Sequence, residues 1–197
     1  MRYDADHKLK TRERVLTAAA KAIRAEGPHK IGVAAVMAEA GLTHGGFYAH
    51  FASKDDFVAA AVGQMFVEGR AKLDRSMEGR SPKAGLARYL DFYLSAGHRD
   101  TRTSGCPLPF LSADAPRLAA PSRAQFAQGV AGLTDRLAQV LALMGRPDAD
   151  ETASSMLSEM VGAVSLARAE PDPVRSDAIL ARTRASLTRR LGLEPVQ

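Results

Sequence analysis

Between Thr43 and Lys54 the chain gathers side chains suited to gripping a polyanion: Thr43-His44-Gly45-Gly46, then Tyr48, His50 and Lys54. Hydroxyl, phenol and imidazole groups can hydrogen-bond a phosphate oxygen or a base edge, and a lysine ammonium is a point charge for a phosphate. Gly45 and Gly46 read two ways. They let a backbone come close to another surface, or they are cheap residues near a helix end, each costing roughly 1 kcal/mol relative to alanine. Phe47 and Phe51, four apart, are expected to point inward as core.

Cys106 is the single cysteine, so no intramolecular disulfide can form. In Ser104-Gly105-Cys106-Pro107 it is expected at the start of a short helix, whose positive end favours thiolate. Arg99 and Arg102 lie nearby in sequence. A redox or electrophile sensor and a small buried hydrophobe are both open for it. A nucleophile with His98 as base lacks a third, orienting group. Tyr89, Phe92, Tyr93, Phe110, Phe126 and Met160 are candidates to line a pocket for an apolar or aromatic ligand, or they are plain core. There is no phosphate loop, and one cysteine with five scattered histidines makes no zinc site. No cofactor, metal or enzymatic activity is expected.

These residues are carried by helices from end to end. Leu9, Leu16, Ala19, Ala20 and Ile23 share one helical face, and Gly27-Pro28 stops that helix. A short second helix runs roughly from Val33 to Ala40 and is closed by Gly41. A third runs from near Thr43 to near Phe51. Ser53 caps a long fourth helix with Asp55 and Asp56 at its positive end. Its two apolar faces, Phe57/Ala61/Met65 and Val58/Val62/Phe66, imply burial over much of its girth. Ser81-Pro82 opens a fifth helix. Five glycines and prolines between Thr101 and Pro121 allow a short helix at most. A long helix ends at Gly145-Arg146-Pro147, Asp148 to Glu151 reads as a capping box for the next, and Asp172-Pro173 opens the last. The expected class is all-α, with about nine helices.

The net charge of +5 favours a polyanionic partner. The first residues have no apolar stretch behind them, and the segment from Phe57 to Val67 is broken by Gly63 and Gln64. Neither a signal peptide nor a membrane span is expected, and the cytoplasm is the default location.

Two short helices flanking Gly41 have the layout of a helix-turn-helix, whose second helix enters the major groove. The stretch from Met37 to Phe57 resembles the signature of the tetracycline-repressor (TetR) family, in Ala40-Gly41, Gly45, Phe47-Tyr48, His50-Phe51 and Lys54-Asp55. The resemblance implies a homodimeric regulator, usually a repressor, on a palindromic double-stranded DNA operator, released by a small-molecule inducer. It implies a helix-turn-helix domain over residues 1–52 and a ligand-binding and dimerisation domain over 53–197, paired through the last two helices. It places Thr43, His44, Gly45, Gly46, Tyr48, His50 and Lys54 at positions that face DNA. Many relatives start the second helix with Thr or Ser; Gly32 stands there and offers no such contact. Specificity then leans on His44, Tyr48, DNA shape and an N-terminal arm with Arg2 and Lys8. Ala153, Gly162 and Ala163 are expected to allow close packing at the dimer interface. A helical scaffold that binds only protein is the alternative from another class.

Overall fold

Four helices open on a serine or aspartate whose side-chain oxygen accepts from the first backbone N–H groups: Ser53, Ser81, Ser95 and Asp172. The structure, a computed structural model, describes residues 2–193, without the side chains of residues 2–6 and of His44. Among them are nine α-helices: α1 (Arg2–Glu26), α2 (Val33–Glu39), α3 (Lys54–Met77), α4 (Pro82–Tyr93), α5 (Ala96–Asp100), α6 (Leu108–Leu111), α7 (Ala120–Leu143), α8 (Ala149–Ala169) and α9 (Pro173–Arg190). Two 3₁₀ turns, His44–Ala49 and Ala115–Arg117, complete the set, and no strand occurs among the described residues. The all-α class and the helix number match expectation, but the membership differs. The expected third helix is a 3₁₀ turn, and the count is restored by the short α5 and α6. Among the described residues no helix is long and apolar enough to cross a membrane.

Ser53 Oγ accepts from Asp56 N at 3.0 Å, and the Asp56 carboxylate reaches back to Ala52 N at 3.2 Å. Ser81 caps α4 through Ala84 N, and Asp172 caps α9 through Val174 N and Arg175 N. The capping box expected at Asp148 does not form. Its carboxylate accepts instead from Arg146 and from Thr152 Oγ1, leaving no oxygen on the backbone N–H groups.

The chain divides into two compact units, residues 1–67 with 102–129, and 68–101 with 130–197. In the first, the apolar face of α1 is buried from Val15 through Ile23. Leu9, expected on that face, is 60% exposed; the burial stops at Thr11. Phe57, Ala61, Met65, Val58, Val62 and Phe66 are all buried, as two apolar faces on one helix imply. Gly129 of α7 lies directly under Phe66: a Cβ there would come within 2.2 Å of the ring. In the second unit α8 runs along α9, with Met156, Met160, Leu180 and Leu187 buried. Arg168 donates to the carbonyls of His98 and Arg99, and Arg99 in turn binds Ser176 Oγ, Asp100 and Asp177. These bonds tie the short α5 to α8 and α9.

His98 is 3% exposed, and its Nδ1 lies 2.7 Å from the Tyr93 carbonyl oxygen. Burial lowers its pKa from the usual 6.5, and the cations Arg168 and Lys72 add to this against the Tyr93 bond. The folded chain therefore holds His98 neutral, while below pH 6.5 the unfolded chain takes up a proton there. Stability is expected to fall as pH drops below that value, by about 1 kcal/mol per pH unit. Urea unfolding between pH 7.5 and 5.5 checks this: the fall should be smaller in His98→Asn, and an equal fall in both proteins would contradict it.

Candidate nucleic-acid interface

Helix α2 ends because Gly41 takes the left-handed conformation, φ +71°. Leu42 N donates to Met37 O at 2.9 Å and Gly41 N to Ala38 O at 2.9 Å, the paired bonds of a Schellman turn. Arg14 of α1 donates to the Ala40 carbonyl oxygen, and Lys21 pairs with Glu39 at 3.0 Å, so the C-terminal end of α2 is tied to α1. Gly32 stands at the N-cap of α2 and makes no side-chain cap bond.

The chain then enters the 3₁₀ turn His44–Ala49 from an extended Thr43. Thr43 is the N-cap residue of the turn, and its hydroxyl makes no cap bond. Two consecutive glycines give the segment little helical preference, so i→i+3 bonds such as Gly46 N to Thr43 O and His50 N to Phe47 O form instead. What holds the turn is aromatic packing. Phe47, Phe51 and Phe57 are at most 3% exposed, with ring centroids 4.9 to 5.5 Å apart. Edge-to-face pairs of this kind add about 0.5–1.5 kcal/mol each beyond the area they bury.

On that base Thr43, Gly45, Tyr48 and Lys54 are exposed, Tyr48 by 73%. The side chain of His44, and that of Arg2 in the N-terminal arm, lie outside the described residues. His50 is half-buried, and its Nδ1 has no hydrogen-bond partner among the described residues. Its pKa is lowered by burial and then by Lys8 and Arg12. The Arg12 guanidinium itself lies 4.7 Å over the Phe51 ring. Lys8 and Arg12, one helical turn apart on α1, thus flank His50 with positive charge. Lys8 is expected in the arm; Arg12 reads in the sequence as one of several charges on the first helix, and its four-residue spacing from Lys8 is the signal that puts the two on one face.

A Cβ added at Gly45 would meet nothing within 4 Å, and one at Gly46 would make ordinary contacts with Met37 and Thr43 at 3.8 and 3.9 Å. Neither glycine is required by the protein's own packing.

The remaining candidates are divided between the two units. Cys106, Phe110 and Phe126 belong to the first unit, and Tyr89, Phe92, Tyr93 and Met160 to the second. Cys106 is 5% exposed and lies two residues before the first residue of α6, whose N-cap is Pro107. Arg99, near Cys106 in sequence, is committed to Asp100 and Asp177. Phe126 packs edge-on to Phe66 at 5.6 Å. Tyr89, Tyr93 and Met160 are at most 2% exposed, while Phe92 is only half-buried.

Residues 15–61, which contain α2, the 3₁₀ turn and the start of α3, match the family model of bacterial regulatory proteins, tetR family. That segment is thus a head of the tetR-family type. It is similar to the HTH-type transcriptional regulator YfiR of Bacillus subtilis, with 31% identity over 105 residues, 53% of this chain and 51% of that protein. The aligned part is therefore about half the length of that curated relative. In fold it resembles the TetR transcriptional regulator of Chloroflexus aurantiacus, with a TM-score of 0.77, 22% identity and 95% and 96% of the two chains covered. It likewise resembles reduced Escherichia coli NemR, with a TM-score of 0.78, 20% identity and 91% and 97% covered. TetR-family proteins are transcription regulators and not enzymes.

Because nothing inside the TetR-family head needs Gly45, Gly45→Ala is expected to leave thermal unfolding unchanged or slightly raised, by at most about 1 kcal/mol of stability. A large loss of stability in that variant would mean that an internal contact fixes the glycine after all.

Proposed function

We propose that this chain is a repressor that binds palindromic double-stranded operator DNA as a homodimer, is released by a small-molecule inducer, and works in the cytoplasm. The observation that carries this reading is the face made by Thr43, Gly45, Tyr48 and Lys54. All four are exposed and stand on a rigid aromatic base, with Lys8 and Arg12 adding charge at its flank. Exposed polar groups on a fixed scaffold, beside cations, fit a phosphate-lined groove. Repression as the sign of regulation comes from the family resemblance.

Two experiments test the DNA claim. A gel shift on DNA flanking the gene should give a sequence-selective complex that weakens steeply with salt. Lys54→Ala should weaken all DNA alike and reduce the salt slope by about one, whereas Tyr48→Ala and His44→Ala should change sequence preference. A chain that binds protein only would give no such shift.

For the dimer, Ser154, Ser158, Gly162 and Leu166 fall four apart on the open side of α8, and Leu166 and Val174 are 63% and 76% exposed. Of the small residues expected at this interface, Ala153 and Ala163 are buried within the chain's own core, and Gly162 has open space around it. Leu166→Glu should convert the dimer to a monomer in sedimentation equilibrium and abolish tight operator binding, because one head alone spans one half-site. An unchanged dimer would remove α8 from the interface.

A thiol-reactive signal, if it acts, runs through Cys106. The similar NemR structure is described as a reduced form, which supports a redox state in that protein. Here the thiol is 5% exposed, so attack requires local opening. Cys106→Ser should abolish any oxidant-triggered release of DNA; release that persists would clear the cysteine.

A further inference from the structure

In the second unit the end of α3 and the outer side of α4 wall an open groove of about 1120 Å³. It lies just above the size range of small-molecule sites, about 300–1,000 Å³. Five cationic residues line it, Lys72, Arg75, Arg80, Lys83 and Arg88, against one carboxylate, Asp91. None of the five forms an ion pair among the described residues. Asp91 is already held by Arg184 at 3.4 Å. The hydroxyls of the walls are also committed: Ser76 Oγ donates to Lys72 O, Ser95 Oγ to Phe92 O, and Ser81 Oγ caps α4 through Ala84 N. Free positive charge is what the groove offers, and the N-terminal end of α4 adds its dipole.

The walls are fixed. A Cβ at Gly85 would meet Met77 Sδ at 2.5 Å and the Ser76 carbonyl oxygen at 3.1 Å, so only glycine lets α4 approach the end of α3 this closely. Lys72 Nζ is held 4.3 Å over the Phe92 ring. Phe92, with Ala84, Ala87 and Leu193, supplies an apolar floor.

We propose that this groove binds a phosphorylated organic ligand with at least two negative charges and an apolar body. Like charges gathered without counter-charges repel one another, and a multiply charged anion relieves that repulsion. Arginine forks match phosphate oxygens two at a time, and a single carboxylate would leave most of the cations unanswered. The floor beside Phe92 accounts for the organic portion. Phe92 was expected from the sequence to face an apolar ligand; its cationic surroundings change the ligand's chemistry. That the groove is the inducer site rests on the repressor reading above, whereas its binding of anions does not.

Calorimetric titration of the full chain with ADP, inorganic pyrophosphate and benzoate tests this. ADP should bind saturably and more tightly than pyrophosphate, and benzoate should not bind. Arg75→Ala/Arg88→Ala should weaken ADP about tenfold or more, since charge-assisted hydrogen bonds are lost at exposed positions that carry no core packing. Arg123→Ala, an exposed arginine on α7 outside the groove, controls for net charge and should leave ADP binding unchanged. Absence of saturable binding by both phosphates overturns the proposal, as does ADP binding that survives the double substitution. Loss of non-specific duplex DNA binding in the double variant, without ADP binding in the parent, would assign the cations to nucleic acid and also overturn it. Adding ADP to an operator complex separates the two readings. Binding of ADP without release of DNA removes the inducer role and leaves the anion site, and failure of operator binding altogether leaves the calorimetric result standing.

Discussion

The packing of Phe47, Phe51 and Phe57 is the interaction on which the candidate interface depends. The segment between Thr43 and Phe51 has little else to hold it. It lacks a side-chain cap, it contains adjacent glycines, and its hydrogen bonds are the weaker-geometry bonds of a 3₁₀ turn. Six residues is long for such a turn. Phe47 in the turn, Phe51 just after it and Phe57 in the first helical turn of α3 anchor it from beneath. Because Phe47 and Phe51 point in, Tyr48 must point out, and Lys54 is set by the capped start of the same helix that supplies Phe57. The exposed groups inherit their positions from buried rings.

Much of this was legible in the chain itself. Gly41 announced a left-handed stop, and the backbone bonds around it are those of a Schellman turn. Ser53, Ser81 and Asp172 announced helix starts and make the expected bonds. Phe47 and Phe51 were read as core from their spacing. These features are local: a residue and its neighbours three or four positions away determine them. Where the reading failed, a competing partner had intervened. Asp148 lost its capping role to Arg146 and Thr152, and Thr43 could not cap an α-helix that glycines kept from forming. Leu9 had helical spacing with the core but nothing to bury it. Arg12 looked like one more charge on a basic helix, because its nearness to Phe51 and His50 comes from packing between segments far apart in sequence.

The aromatic row expected to line one pocket shows the same limit more sharply. Spacing along α4 does separate Phe92 from Tyr89 and Tyr93, since the last two are sealed in the core while Phe92 is only half-buried. Phe126 is accounted for by Phe66. No periodicity argument could have supplied Lys72 and Arg75 from another helix, so the groove's charge was invisible until α3 and α4 were brought together. The excess of positive charge in the composition was read as one signal. It is distributed over at least two places, the flank of the turn beside His50 and the groove on α4.

Glycine makes the distinction between internal and external causes concrete. At Gly129 and Gly85 the reason for glycine lies inside the protein: the Phe66 ring in one case and the end of α3 in the other occupy the space where a Cβ would stand. At Gly41 the reason is conformational, a positive φ that other residues rarely adopt. Gly45 has neither reason. Its φ is ordinary, its surroundings are empty, and glycine there forfeits helical stability. The proposed operator face would give it one: glycine lets a backbone come close to another surface, and its exposed neighbours Thr43, Tyr48 and Lys54 are of the types that meet phosphates and base edges.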